Sequence, residues 1–444
     1  MSSIRRRKKM SSFQIIIAGF IAVIMIGTLL LLLPLSSKAG LWTPFMDALF
    51  TSASAVCVTG LVVVDTAVYW SAFGQAVILV LIQIGGLGIV SVAAFLATLS
   101  GRKISLLQRS ILQECIAAHH VGGIVKMTSF IIKVAFITEL LFALLMLPSF
   151  CRHYGPSGIW PAIFHSVSAF CNAGFDIMGD KTGTYSSLTF FSGDPGVVIP
   201  VCLLIIIGGI GFLTWDDIAV HRHHFREYRM QSKVILAFTL LLILIPAAVF
   251  FFGDFSGYGM KERICLSVLQ AVTPRTAGFN TADLASMSGS SHALMMVLML
   301  TGGSPGSTAG GMKTTTIAVL FANAVAVMRR KKSPQLFGRR IEEQTIKSAA
   351  TLLLMYLFFA LSGAFIICAS DKLPFSLCLF ETFSAIGTVG LSLGITTALC
   401  TVSRFVLIVL MFLGRAGGLT IMFAAINSSG TEVSQRPTEK INVG

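Results

Sequence analysis

Four short stretches of this sequence end alike: Val58-Thr59-Gly60, Asn172-Ala173-Gly174, Thr276-Ala277-Gly278 and Thr388-Val389-Gly390, each followed by Leu or Phe. Eight residues before each glycine stands Ser52, Ser166, Gln270 or Thr382, and six residues before three of them stands Ser54, Ser168 or Ser384. These residue types do not assemble a nucleophile and base or a set of metal ligands. What they offer is backbone: glycine adopts φ > 0 without a Cβ penalty and can aim carbonyl oxygens inward. Four such segments around one axis make a ring of carbonyls able to replace the hydration shell of a cation, and the Ser and Thr hydroxyls ahead of them are suited to hold the ring in shape. The broken, polar stretch AVTPRTAGFN at 271–280 is then the third copy of an element made four times.

A second small-residue motif follows each glycine: GGLG from Gly85, GGIG from Gly208, GGSP from Gly302 and GRAG from Gly414. Small residues let helices approach closely in lipid, and this packing role is expected to account for Gly85, Gly88, Gly208 and Gly211. The third copy departs from the rest. TGGSPGSTAGGMKTTT at 301–316 carries Gly302, Gly303, Ser304, Pro305, Gly306, Gly310 and Gly311 where a span should run, and this density of glycine and proline breaks a helix. Non-helical backbone at membrane depth must be buried in protein or line a cavity. The segment reads as a flexible gate below the ring. A static kink is the plainer alternative, and an anion nest resembling the loops of chloride channels is a third, without counterpart in the other copies. In the fourth copy Arg415 replaces Gly86, Gly209 and Gly303. An intramembrane Arg faces the interior or water. It reads either as a positive barrier near the pore axis or as half of a buried pair with Glu381 or Glu139.

The elements that must position these residues follow from composition. The chain has 444 residues, 55% hydrophobic and only 12% charged. Phe13 to Leu35 runs without a charge, long enough to cross a bilayer and longer than a signal-peptide core. Most of the 33 basic residues fall in four clusters: Arg5, Arg6, Arg7, Lys8 and Lys9; Arg102, Lys103, Arg109 and Lys126; Arg222, Arg226, Arg229 and Lys233; and Arg329, Arg330, Lys331, Lys332, Arg339, Arg340 and Lys347. Short basic loops stay cytoplasmic, so the net charge of +14 is a topology signal. HRHHFRE at 221–227 belongs to it, without the Cys that would suggest a metal site. The chain is therefore expected to be an all-α polytopic membrane protein of four span–pore-loop–span repeats, about eight spans around one pseudo-fourfold pore. The repeats run 1–115, 116–228, 229–335 with a broken second span, and 336–444. Each pore loop, such as 45–61, is too short to span and return as two helices. It reads as a short descending helix whose partly negative C-terminal end favours a cation at mid-membrane, followed by a rising strand. Cys57, Cys171, Cys202, Cys265 and Cys378 read as small buried hydrophobes.

With these motifs in place, the chain resembles the Trk/Ktr/HKT superfamily of potassium transporters over about residues 13–426. CVTGL, CNAGF, RTAGF and GTVGL are similar to its four filter sequences, and RTAGF and the length are similar to the Ktr branch, the membrane subunit of a bacterial potassium-uptake system. The resemblance implies channel-like potassium uptake with K+ as the transported ion, in the plasma (inner) membrane, with both termini cytoplasmic. It also implies a homodimer with one pore per protomer, seated on a cytoplasmic ring of RCK-type nucleotide-binding subunits through which any nucleotide or sodium effect would act. It implies a pore-blocking loop at the break in the third repeat. Glycine at 60, where plant relatives with Ser prefer sodium, favours potassium. The unequal residues ahead of the four glycines predict imperfect exclusion of sodium. A sodium- or proton-coupled symporter is the alternative, though such carriers use inverted repeats and intramembrane acids, and acids are scarce in these spans. An enzyme is not expected: His165 beside Ser166 is the nearest approach to a nucleophile and base, and adjacent residues on a helix do not face each other.

Overall fold

The computed structural model describes residues 11–100, 104–116 and 123–418. The basic residues Arg5–Lys9, Arg102 and Lys103 lie outside the described residues, as does the chain after 418.

Among the described residues the architecture is helical apart from a hairpin of two two-residue strands, β1 (Gln335–Leu336) and β2 (Arg339–Arg340). Four long apolar helices form its frame: α1 (Ser12–Leu32), α6 (Ile124–Tyr154), α10 (Met230–Phe252) and α14 (Glu343–Asp371). All four are long and apolar enough to cross a membrane. Their outward faces are apolar as well. Ile26 and Leu29 on α1, Ile137 and Leu140 on α6, and Leu240 and Leu244 on α10 are exposed. A helix hydrophobic all round fits a lipid surround.

A short helix follows each long one and packs back on it: α2 (Phe45–Val56), α7 (Ile159–Phe170), α11 (Met260–Val272) and α15 (Phe375–Ile386). At 1.5 Å per residue each is about 18–20 Å long and cannot cross a core of ~30 Å. They are buried at the centre instead: Phe50 to Val56 and Phe380 to Ile386 are buried without interruption. Short polar side chains tie two of them to the frame. Ser52 Oγ donates to Ile24 O on α1 (2.7 Å) and Ser166 Oγ to Glu139 O on α6 (2.6 Å). Cys57, Cys171, Cys202, Cys265 and Cys378 are buried among these elements.

The second helices depart from straight spans. α3 (Ala72–Leu87) turns by 94° into α4 (Ile89–Leu99), and α8 (Pro195–Gly209) turns by 96° into α9 (Phe212–His221). Between them lie α5 (Leu106–Ile116) and the frame helix α6. In the third copy α12 (Gly289–Leu300) and α13 (Thr314–Met328) are separated by residues 301–313, and in the fourth α16 (Thr401–Ala416) ends at Gly417. The bends correct the packing account of the second motif. Gly88, Gly211 and Gly417 hold φ of +86°, +92° and +86°, so in the first, second and fourth copies the last glycine of the motif is where the helix stops, a conformation that side chains with a Cβ resist. Packing does explain the first. A Cβ on Gly85, Gly208 or Gly414 would lie 2.1 Å from the carbonyl oxygen of Val56, Phe170 or Ile386, the last residues of α2, α7 and α15. Counting each bent pair as one, up to six spans among the described residues pass by length and composition; α12, α13 and α16 are shorter.

Candidate functional site

At the end of each short helix the backbone reverses handedness twice. Val58, Asn172, Thr276 and Thr388 have φ of +57°, +58°, +77° and +51°, the next residue returns to negative φ, and Gly60, Gly174, Gly278 and Gly390 are again positive. Such alternation turns successive carbonyls toward one side of a strand.

The four strands close on one another. A Cβ on Gly60 would lie 2.5 Å from Ala173 O, one on Gly174 2.6 Å from Ala277 O, one on Gly278 2.3 Å from Val389 O, and one on Gly390 2.1 Å from Thr59 O. Each glycine thus faces the carbonyl that precedes the next glycine, in the cyclic order 60, 174, 278, 390 and back to 60. Glycine is required twice over, for its φ and for this approach.

Hydroxyls brace the strands. Ser54 Oγ accepts from Gly60 N (3.1 Å), Ser168 Oγ donates to Phe175 O (2.7 Å), and Thr273 Oγ1 donates to Phe279 O (2.7 Å). Thr273 takes the place that the serines hold in other copies, one position later. Ala277 N bonds Thr273 O, whereas Thr59, Ala173 and Val389 bond the carbonyls of Ser54, Ser168 and Ser384. On one side the ring opens to a cavity of about 210 Å³ bordered by the four glycines and by Asp65 and Asp176.

On the other side lies the 301–313 segment. It leaves α12 and rejoins α13 through Gly302 N to Met312 O (2.7 Å) and Thr314 N to Gly303 O (2.9 Å). Its excursion is pinned to the α8/α9 bend: Ser304 N and Thr308 N donate to Gly209 O (2.9 Å) and Gly208 O (3.2 Å), and Phe212 N donates to Gly306 O (2.6 Å). Pro305 O lies 2.7 Å from where a Cβ on Gly211 would stand. Gly310 and Gly311 press on Thr388 and Gly387 at the end of α15, leaving no room for a Cβ. Below the segment is a cavity of about 380 Å³ that Arg415 and Lys313 both line.

Arg415 reaches across this arrangement. Its guanidinium donates to Thr308 O and to the carbonyls of Gly85 and Gly86, the latter at 3.0 Å. The expected acid partners are engaged elsewhere: Glu139 accepts twice from Gln83 Nε2 (2.9 and 3.2 Å), and Glu381 accepts from Ser392 (2.9 Å) and Thr396. Among the described residues Arg415 has no carboxylate partner, so the buried-pair expectation is corrected. Its charge rests on carbonyls, two of them at the C-terminal, partly negative end of α3.

A helical frame surrounds four short buried helices whose ends close in a ring of glycines and carbonyls. Residues 3–434 match the cation transport protein family TrkH. The chain belongs to that family. Two curated relatives are the potassium/sodium uptake protein NtpJ of Enterococcus hirae, 37% identical over 99% of both chains, and the Ktr system potassium uptake protein B of Bacillus subtilis, 38% identical over 93% of this chain and 92% of that one. The crystal structure of the potassium transporter TrkH from Vibrio parahaemolyticus shares the fold, with a TM-score of 0.74 at 18% identity over 96% of this chain and 87% of that one.

As a TrkH-family transporter, and not an enzyme, the chain holds its candidate residues in two places. Val58 to Gly60, Asn172 to Gly174, Thr276 to Gly278 and Thr388 to Gly390 converge on the ring. Gly302 to Gly311 and Arg415 meet directly beneath it. Sequence reasoning missed Thr308, Lys313 and Thr273. Lys313 Nζ folds back on Ala309 O (2.8 Å) and Gly310 O (3.3 Å), a second positive charge beside Arg415. Its signal was present as a lone Lys following an apolar, glycine-rich run; Thr308 carried none.

Proposed function

We propose that this chain is the pore-forming subunit of a potassium-uptake system, passing K+ channel-like through a filter at Gly60, Gly174, Gly278 and Gly390, with residues 302–311 and Arg415 as its gate. One observation carries the reading: the cyclic approach of each glycine to the carbonyl before the next, which aligns neutral oxygens from four strands around one axis. The relatives named as potassium uptake proteins support K+ as the ion. One named for potassium and sodium fits a ring whose four strands differ in sequence and discriminate imperfectly. The reading includes four repeats over 1–115, 116–228, 229–335 and 336–444, insertion in the plasma membrane with cytoplasmic basic loops and termini, a homodimer, and an RCK-type nucleotide-binding ring on the cytoplasmic side. Likeness to the Ktr proteins supports these assignments.

The test is the reversal potential of the purified full chain in bilayers under opposed potassium and sodium gradients, alone and with Gly→Ser at 60, 174, 278 or 390. Each serine adds a Cβ at positive φ and a competing hydroxyl, so a raised apparent Km for potassium or a lost preference over sodium is expected. If all four variants match the parent, the ring is not the filter.

A coupled symporter is the second reading, favoured by Glu139. This carboxylate is buried on α6 against Gln83, whose Oε1 is 3.5 Å from the Sγ of Cys171, the residue before filter residue Asn172. Under that reading Glu139→Gln abolishes uphill uptake driven by sodium or proton gradients; under the channel reading downhill flux persists.

A further inference from the structure

We propose that Thr308, on the intramembrane segment and outside the four filter strands, is a selectivity-determining residue that positions the second strand through the side chain of Asn172. The proposal rests on the ion-pathway reading above.

Every polar group of Thr308 is engaged. Its N–H donates to Gly208 O (3.2 Å), its carbonyl accepts from Arg415, and its hydroxyl donates to Phe170 O (2.9 Å). A hydroxyl has one proton, so toward Asn172 it can only accept. Asn172 must therefore present its Nδ2, which lies 2.9 Å away, and the orientation of the amide is dictated from the gate segment. Asn172 is fully buried, and its Oδ1 has no partner among the described residues.

Asn172 sits at a sensitive place. Its φ is +58°, and the next carbonyl, Ala173 O, is the one that Gly60 faces in the ring. A residue with a Cβ in this region persists when its surroundings over-determine it, and the Thr308 bond is one of the few polar restraints on this one. The equivalent positions lack such a bond. Val58 is apolar, the hydroxyls of Thr276 and Thr388 have no partner among the described residues, and Thr388 meets Gly310 by packing alone. Among the described residues, only the second strand is hydrogen-bonded through its side chain to the segment beneath it. Moving that segment releases Asn172 and loosens one carbonyl of the ring, so the state of the gate and the geometry of the filter are linked through one hydroxyl.

The experiment uses the full-length protein in proteoliposomes and measures the potassium/sodium permeability ratio together with potassium flux. Thr308→Val keeps the shape and removes the hydroxyl; Thr308→Ser keeps the hydroxyl. The ratio is expected to fall about two- to tenfold in Thr308→Val, the range of one hydrogen bond, and to stay near the parental value in Thr308→Ser. Thr308→Ala serves in place of Val if the latter does not reach the membrane. A parental ratio in Thr308→Val or Thr308→Ala, whether flux rises or not, overturns the proposal, as does failure of Ser to restore it. The Gly→Ser series separates this outcome from failure of the pathway itself: if those variants change the ratio and the Thr308 variants do not, the filter stands and only the link is lost.

Discussion

Arg415→Gln separates two contributions that the structure places on one side chain. The guanidinium bonds three carbonyls, Thr308 O on the 301–313 segment and Gly85 O and Gly86 O at the end of α3. Hydrogen bonds involving a charged group contribute about 1.5–3 kcal/mol each, and a Gln amide can keep one of the three at neutral strength. The segment then loses at least about 1.5 kcal/mol of restraint, roughly a tenfold shift toward displacement. The charge acts in the same direction. A unit charge ~8 Å from a potassium ion at an effective dielectric of ~20 repels it by about 2 kcal/mol, roughly thirtyfold in rate if fully expressed at the barrier. Potassium flux in the absence of any partner is therefore expected to rise by between about ten- and a few hundredfold, with a modest loss of thermal stability from the carbonyls left without donors. Flux and melting temperature are read on one preparation. Arg415→Lys divides the causes: it keeps the charge and spoils the fork geometry, so flux stays low if the barrier dominates and rises if the restraint does. A stably folded Arg415→Gln with unchanged or reduced flux refutes both and leaves Arg415 as a packing residue.

Other outcomes follow from the same geometry. Removing part of 303–310 is expected to raise basal flux; a deletion that folds, reaches the membrane and conducts like the parent makes the segment a static kink. Gly306→Ala places a Cβ 2.4 Å from Ile116 O at a φ of +62°, and strain of about 1–2 kcal/mol should displace this part of the segment, seen as raised flux with the four glycine strands left unaltered. Gly211→Ala meets Pro305 O at 2.7 Å and a φ of +92°, so the α8/α9 bend should relax and thermal stability fall by about 1–3 kcal/mol, measured by a denaturation scan in detergent. Asp47→Asn weakens the partly exposed pair with Arg404 (2.8 Å), which also holds Thr397 O (2.9 Å); a destabilisation of about 0.5–1 kcal/mol with unchanged selectivity is expected.

The sequence by itself determined the class of molecule and singled out the four glycines that meet in the structure. Apolar runs longer than a bilayer, basic clusters between them, and glycine recurring in register are local or periodic properties, and they need no knowledge of what touches what. Glycines 60, 174, 278 and 390 were legible because the motif recurs in register and one of their two requirements, a positive φ, is carried by the residue's own backbone. The tertiary structure decided everything that depends on long-range apposition. That the four strands close in cyclic order is a relation between residues more than 100 positions apart. The right-angle turns at Gly88 and Gly211 were hidden because a small residue reads alike whether it admits a neighbour or ends a helix; only φ separates the two uses. Arg415 looked like a candidate for a carboxylate because buried charges are usually paired, whereas the fold offers it three carbonyls from two distant elements. Thr308 was silent in the sequence for a related reason. A threonine in a polar loop is ordinary, and its weight comes from the folding of residues 301–313 beneath Asn172, which brings one hydroxyl to the Asn172 amide.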